Sequence, residues 1–189
     1  MTRAPRSLCI LGSTGSVGRQ TLDVVQCHRD RFVVDALAAG SNVDALAAQA
    51  RAFKPRFVAL SDVSGYTALK AMLADCADIE IAAGADAVVE AARRDCDLTM
   101  AAIVGTAGLR ATMSAVARGR TVAFANKECL VAAGPLMMQA AAVHGTTLLP
   151  VDSEHNAIFQ ALHGQDREGL RRIVLTASGG PFREASLDT

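Results

Sequence analysis

The sequence predicts an α/β fold, a mostly parallel sheet with helices on both faces, and three observations carry that reading. Short apolar runs alternate with alanine-rich stretches of helical spacing along nearly the whole chain. The first run, Ser7-Leu8-Cys9-Ile10-Leu11, opens directly into Gly12-Ser13-Thr14-Gly15-Ser16-Val17-Gly18, and helical spacing resumes at Gln20-Thr21-Leu22. Later apolar runs end in polar clusters, Asn126-Lys127-Glu128 and Asp152-Ser153-Glu154. In parallel sheets ligands bind beyond the carboxyl ends of the strands, where these clusters and the glycine turn would lie. Strand, glycine turn and helix at the amino terminus make the fold Rossmann-like.

The turn shows why those residue types occur there. Gly12 and Gly15 lack a β-carbon, so the chain can turn tightly and bring its backbone close to a pyrophosphate. The amides of Thr14, Gly15, Ser16 and Val17 begin a helix, where free N–H groups and the macrodipole favour an anion. Gly18 lets that helix pack closely on the strand. The spacing is Gly-x-x-Gly-x-x-Gly, which meets the same mechanical needs as the commoner fingerprint, although a turn without a ligand has the same composition.

The first helix runs to about residue 28, and residues 32–39 form the second strand, stopped by Gly40-Ser41-Asn42. Ser41 or Asn42 caps a helix over 43–53, which Pro55 follows. A strand over 56–60, a helix over 67–73, a short strand over 79–81 and a helix over 85–94 come next. A buried strand over 98–104 ends in Gly105-Thr106-Ala107-Gly108 and leads to a helix over 109–118. The strand over 121–125 delivers Asn126, Lys127 and Glu128; a helix then reaches about 144, and a strand over 146–151 delivers the second cluster. Alternation of this kind implies right-handed crossovers.

Composition narrows the function classes. With 19 basic and 19 acidic residues, no basic stripe and no Trp, nucleic acid is not an expected partner. The uncharged stretch 129–151 contains Gly134-Pro135, Gln139, His144 and Gly145-Thr146-Thr147, so it reads as helix, turn and strand rather than a membrane span. The five cysteines include no Cys-x-x-Cys pair, as expected of thiols in a reducing compartment, and the cytoplasm is the default location.

The cofactor reading turns on the end of the second strand. NAD sites often place an acid there, but Asp35 sits mid-strand and the end reads Ala39-Gly40-Ser41-Asn42, which leans toward NADP. No Arg or Lys stands at this turn. Asp152 and Glu154 lie two apart, so in extended backbone both carboxylates point the same way and suit Mg²⁺ or Mn²⁺. The same residues suit a helix start, and by spacing alone that is the commoner outcome, with Asp152 or Ser153 as cap and Glu154 in the first turn. Lys127 can hold an anionic or carbonyl-bearing substrate, Asn126 and Glu128 can bond nicotinamide ribose or amide, and Asn126 is also a natural N-cap. His155 reads as a packing or supporting residue ahead of a metal ligand. Ser178 and the glycines after it could seat a phosphate, or form a plain turn. Tyr66 and Lys70 share the Tyr-x-x-x-Lys spacing of short-chain dehydrogenases, but they come too early and read as one helix face.

Together, the glycine turn, Ala125-Asn126-Lys127-Glu128, Pro150-Val151-Asp152-Ser153-Glu154-His155-Asn156-Ala157-Ile158-Phe159-Gln160 and Ser178-Gly179-Gly180-Pro181-Phe182 resemble the 1-deoxy-D-xylulose 5-phosphate reductoisomerases. The resemblance runs in order along essentially the whole chain, and its most specific block is 150–160. It implies an NADPH- and divalent-metal-dependent enzyme of the methylerythritol phosphate route to isoprenoids, using Mg²⁺ or Mn²⁺ with Co²⁺ as a further candidate. It assigns NADPH contacts to Thr14, Gly15, Ser16, Val17, Gly40, Ser41, Asn42, Asn126 and Glu128. Substrate contacts fall to Lys127, Ser153, Glu154 and Ser178, and metal ligation to Asp152 and Glu154. The implied chemistry is rearrangement of a metal-chelated sugar phosphate, then hydride reduction of the resulting aldehyde. The resemblance further implies a homodimer, an NADPH-binding domain over 1–150 and the beginning of a catalytic, metal-binding α+β domain over 151–189. In that family a third metal carboxylate, a loop His and a C-terminal helical domain come from sequence beyond Thr189, so the expectation is a truncated catalytic domain that is inactive alone. The alternative of another class is a stand-alone NADP-binding module without turnover.

Overall fold

The computed structural model describes residues 4–175 and 186. Seven strands form one sheet in the order β4-β3-β2-β1-β5-β6-β7, and all its pairings are parallel. They are β1 (Arg6–Leu11), β2 (Phe32–Ala39), β3 (Phe57–Leu60), β4 (Glu80–Ala83), β5 (Leu98–Ala101), β6 (Thr121–Phe124) and β7 (Thr147–Pro150). The helices are α1 (Ser16–Cys27), α2 (Val43–Phe53), α3 (Tyr66–Met72), α4 (Ala85–Arg93), α5 (Leu109–Val116), α6 (Lys127–His144) and α7 (Ser153–Leu162). The strand order reverses between β1 and β5, so the chain leaves these neighbours toward opposite faces and a crevice opens at their carboxyl ends.

Helices cover both faces of the sheet's inner strands, which is why those strands read as continuous apolar runs. On one face Leu8, Ile10, Leu37 and Val58 pack with Leu22 and Val25 of α1, Leu46 and Ala50 of α2, and Leu69 of α3. On the other, Cys9, Leu11, Ala38 and Val122 pack with Val88 and Ala91 of α4, Ala115 and Val116 of α5, and Met137 of α6. Small residues on α4 and α5 let these helices lie close to the sheet and to each other.

Three features depart from simple alternation. The register of β1 on β2 passes from Leu8 opposite Val34 to Cys9 opposite Ala36, which leaves Asp35 as the extra residue of a bulge. Asp35 is buried, and Arg56 Nε donates to its carboxylate from just before β3. It therefore sits at the amino-terminal end of β3, away from the edge where a ribose would bind. Second, β5 stops at Ala101, not at the expected Val104. Its partner β1 ends at Leu11 opposite Ala101, so the chain beyond has no ladder to join, and Val104 is 81% exposed. Third, α6 is kinked at Ala133 (φ −144°, ψ 25°). Pro135 has no N–H for the carbonyl four residues back, and its ring crowds that carbonyl. No helix among the described residues is long and apolar enough to cross a membrane.

Candidate functional site at the sheet's carboxyl edge

Gly12 makes the turn after β1 with φ +87°, and a β-carbon there would lie 2.6 Å from the Ala102 carbonyl oxygen. A β-carbon on Gly18 would lie 2.3 Å from the Gly12 carbonyl oxygen, so α1 is seated directly on its own turn. Helix α1 begins at Gly15 with no side-chain cap and no acid in its first turn. Its first amides therefore keep the positive end of the helix open to the crevice. This donor set fits a dinucleotide's phosphates.

Two cavities flank residues 102–104, the segment released where β5 stops. One, about 300 Å³, takes in Gly12 and Gly15 of the turn, Ala39 and Gly40 at the end of β2, Ser61 after β3, and residues of α4 and α5. The other, about 320 Å³, is lined by Val17, Asn126, Lys127, Glu128, Asp152, Ser153 and Glu154. Both share Ala102, Ile103 and Val104 as a wall. The structure thus gathers both polar clusters and Val17 around one cleft, with Gly15 and Gly40 in the adjoining groove. Thr14, Ser16, Ser41 and Asn42 line neither cavity, and Ser178 lies outside the described residues.

Several candidates also have local work. Asn42 caps α2, its Oδ1 accepting from the Ala45 amide at 3.0 Å, so the helix-cap reading of this turn holds for Asn42. Asn126 is buried at the start of α6. Its Oδ1 accepts from the Cys129 amide at 3.1 Å, while Nδ2 donates to the carbonyls of Gly105 (2.8 Å) and Ile103. Both donors of that amide are engaged by the loop after β5, so Asn126 ties this loop to α6. Lys127 and Glu128 stand exposed on the first turn beyond it.

Asp152 caps α7. Its Oδ2 accepts from the His155 amide at 3.1 Å and lies 2.7 Å from His155 Nδ1. Burial raises its pKa, but the His155 backbone and ring contacts more than offset this and hold the carboxyl below the ordinary value. Glu154 is also held low, by its own backbone amide, the Ser153 hydroxyl and the charge of Lys127, against the opposing charge of Asp152. Both groups are carboxylates near neutral pH and both face the Lys127 cleft, a hard-oxygen pair suited to a divalent cation. No cluster of three metal-ligating side chains occurs among the described residues. Both His155 contacts fall on the same Asp152 oxygen and fix its orientation.

Sequence reasoning did not single out the wall at Ala102, Ile103 and Val104, nor Ser61 and Arg110. A signal existed: the apolar run over 98–104 is longer than the strand it pairs with. Tyr66 and Lys70 share a face of α3, the ammonium 5.9 Å from the ring centroid, outside either cavity. Beyond β7 a further groove of about 500 Å³ lies between α6 and α7, lined by Leu130, Met138, Leu148, Ile158 and Phe159 among others. No residue of α7 is buried.

A family model described as 1-deoxy-D-xylulose 5-phosphate reductoisomerase matches residues 8–134, and its C-terminal domain model matches residues 148–189. The reductoisomerase of Zymomonas mobilis is 54% identical over 183 residues, covering 97% of this chain and 47% of the relative. That of Bradyrhizobium diazoefficiens is 52% identical, covering 95% and 44%. The Zymomonas mobilis enzyme, solved in complex with NADPH, superposes with a TM-score of 0.92 at 53% identity, over 98% of this chain and 49% of that one. A reductoisomerase solved with NADPH, fosmidomycin and magnesium gives 0.79 at 43% identity, over 82% and 38%. The chain spans about half the length of the curated relatives it matches.

Proposed function

Since the chain belongs to the 1-deoxy-D-xylulose 5-phosphate reductoisomerase family, we propose that it supplies the NADPH-binding part and the first metal-facing carboxylates of that NADPH- and divalent-metal-dependent activity. The product would be 2-C-methyl-D-erythritol 4-phosphate, within isoprenoid biosynthesis. The observation that carries this reading is the single cleft where Lys127 and Glu128 of α6 meet Asp152, Ser153 and Glu154 of α7 beside the glycine-turn helix.

Residues 1–150 form the cofactor domain, since the sheet ends at Pro150, and residues 151–189 begin the catalytic domain. Thr14, Ser16 and Val17 present amides to the phosphates, and Gly15, whose own amide donates to the Gly12 carbonyl at 3.1 Å, borders them without a β-carbon; Gly40, Ser41 and Asn42 border the adenosine ribose; Asn126 and Glu128 border the nicotinamide side. Asp152 and Glu154 would hold Mg²⁺ or Mn²⁺, with His155 fixing the Asp152 carboxylate. Lys127, Ser153 and Glu154 would orient the phosphorylated sugar, and Ser178 would bind it from the following segment. When bound, NADPH supplies a hydride and the cation polarises a carbonyl. The protein's share is to hold both carboxylates ionised and to place Lys127 across the cleft from them. Five free thiols suit a cytoplasmic setting.

Fluorescence titration with NADPH and a turnover assay with 1-deoxy-D-xylulose 5-phosphate and Mg²⁺ or Mn²⁺ test the reading. The chain should bind NADPH and show no turnover, because no group of three metal-ligating side chains converges among the described residues. Appreciable turnover would defeat that account of an incomplete cation site, and failure to bind NADPH would defeat the cofactor assignment. In a full-length relative carrying the same residues, Asp152→Asn should keep the α7 cap and NADPH binding while abolishing metal-dependent activity. Retained activity would remove Asp152 from the ligand set.

A further inference from the structure

We infer that Arg110 holds a phosphate of the bound dinucleotide from the α5 side of the groove, and that its ion pair with Asp86 is a resting contact which that phosphate displaces. The inference rests on the dinucleotide reading above and extends it to a residue that none of the motifs contains.

The groove that takes in the glycine turn and Gly40 is lined by glycine, alanine, valine, isoleucine and Ser61, and Arg110 is the one charged side chain among its described lining residues. A dinucleotide brings several negative charges into that apolar slot. The end of β2, where a basic side chain would otherwise meet a ribose phosphate, offers only Gly40, Ser41 and Asn42. Arg110 also stands in the first turn of α5, where the macrodipole disfavours a cation. Its partner there is Asp86 in the first turn of α4, with Arg110 Nη2 2.9 Å from Asp86 Oδ1. The two side chains are 70% and 91% exposed. An exposed pair of this kind contributes little to stability, so the guanidinium can exchange the carboxylate for a phosphate, whose geometry matches its planar fork. Asp86 then acts as a competitor for Arg110.

The test is fluorescence titration of the full chain and three variants, Arg110→Ala, Arg110→Lys and Asp86→Asn, with NADPH and separately with NADH, at low and moderate salt. Arg110→Ala should raise Kd about 10-fold, the loss expected for one charge-assisted contact, and should flatten its salt dependence. Arg110→Lys should fall between Arg110→Ala and wild type. Asp86→Asn should tighten binding roughly 2–5-fold by removing the competing carboxylate. Thermal melting of all three should match wild type, since the pair is exposed. An equal loss with both nucleotides puts the contact at the diphosphate, and a loss confined to NADPH puts it at the ribose phosphate; either sustains the inference. Wild-type binding with Arg110→Ala unchanged in Kd and salt slope overturns the inference alone. A wild-type chain that binds neither nucleotide overturns it together with the dinucleotide reading.

Discussion

Replacing Gly18 by Ala tests the seating of α1 on its turn. The new β-carbon would lie 2.3 Å from the Gly12 carbonyl oxygen, 2.6 Å from Ser13 Cα and 2.7 Å from Ser13 C. All three are backbone atoms of the turn that positions the helix, so no side chain can rotate away and α1 itself must lift. Overpacking of this kind destabilises by about 1–3 kcal/mol, and the close backbone contacts place it toward the upper end. Against this stands the better helix propensity of Ala, worth about 1 kcal/mol. The net expectation is a loss of roughly 1–2 kcal/mol, which at a urea m-value of about 2 kcal/mol/M lowers the midpoint by about 0.5–1 M. Gly134→Ala in α6 is the matched control. Its β-carbon meets nothing within 4 Å, so the same change there should be neutral or stabilising by up to about 1 kcal/mol. Urea unfolding followed by circular dichroism reads both, and NADPH titration should show weaker binding for Gly18→Ala because the α1 amides have moved. A Gly18→Ala chain with the wild-type midpoint and wild-type NADPH affinity would refute the argument.

Asn126→Ala should destabilise by about 2–4 kcal/mol, since it removes a helix cap and leaves the Ile103 and Gly105 carbonyls without their buried donor; chemical denaturation reads it, and a loss under 0.5 kcal/mol would contradict the buried network. Asp97 accepts from the Ser7 amide at 2.8 Å and the Ser7 hydroxyl at 3.0 Å, and these bonds hold its pKa below the ordinary 3.8 despite desolvation. A depressed acid stabilises the fold above its unfolded pKa and loses that contribution as pH falls through the lower folded value. Melting temperature should therefore drop as pH falls below about 4, and Asp97→Asn should flatten that part of the profile; parallel profiles would count against it.

The strands and helices were legible because both faces of a parallel sheet are covered, which leaves unbroken apolar runs between helical stretches. The glycine turn was legible because only glycine tolerates the contacts at positions 12 and 18. Of the two readings of Asp152 and Glu154, the helix start is the one observed: Asp152 caps α7 and Glu154 lies in its first turn, not in extended backbone. What the sequence by itself determined is thus the order of elements, the turn and the polar residues each strand delivers, since all of these follow from local backbone chemistry. Tertiary structure decided the rest. It stopped β5 at Ala101 because β1 ends opposite it, bulged Asp35 away from the ribose edge, and engaged Asn126 in tying the post-β5 loop. It also brought Arg110, more than 90 residues from the glycine turn in sequence, to the rim of the same groove. Strand pairing and helix packing are non-local, and one chain's residue pattern does not encode which distant segments will face each other across a crevice.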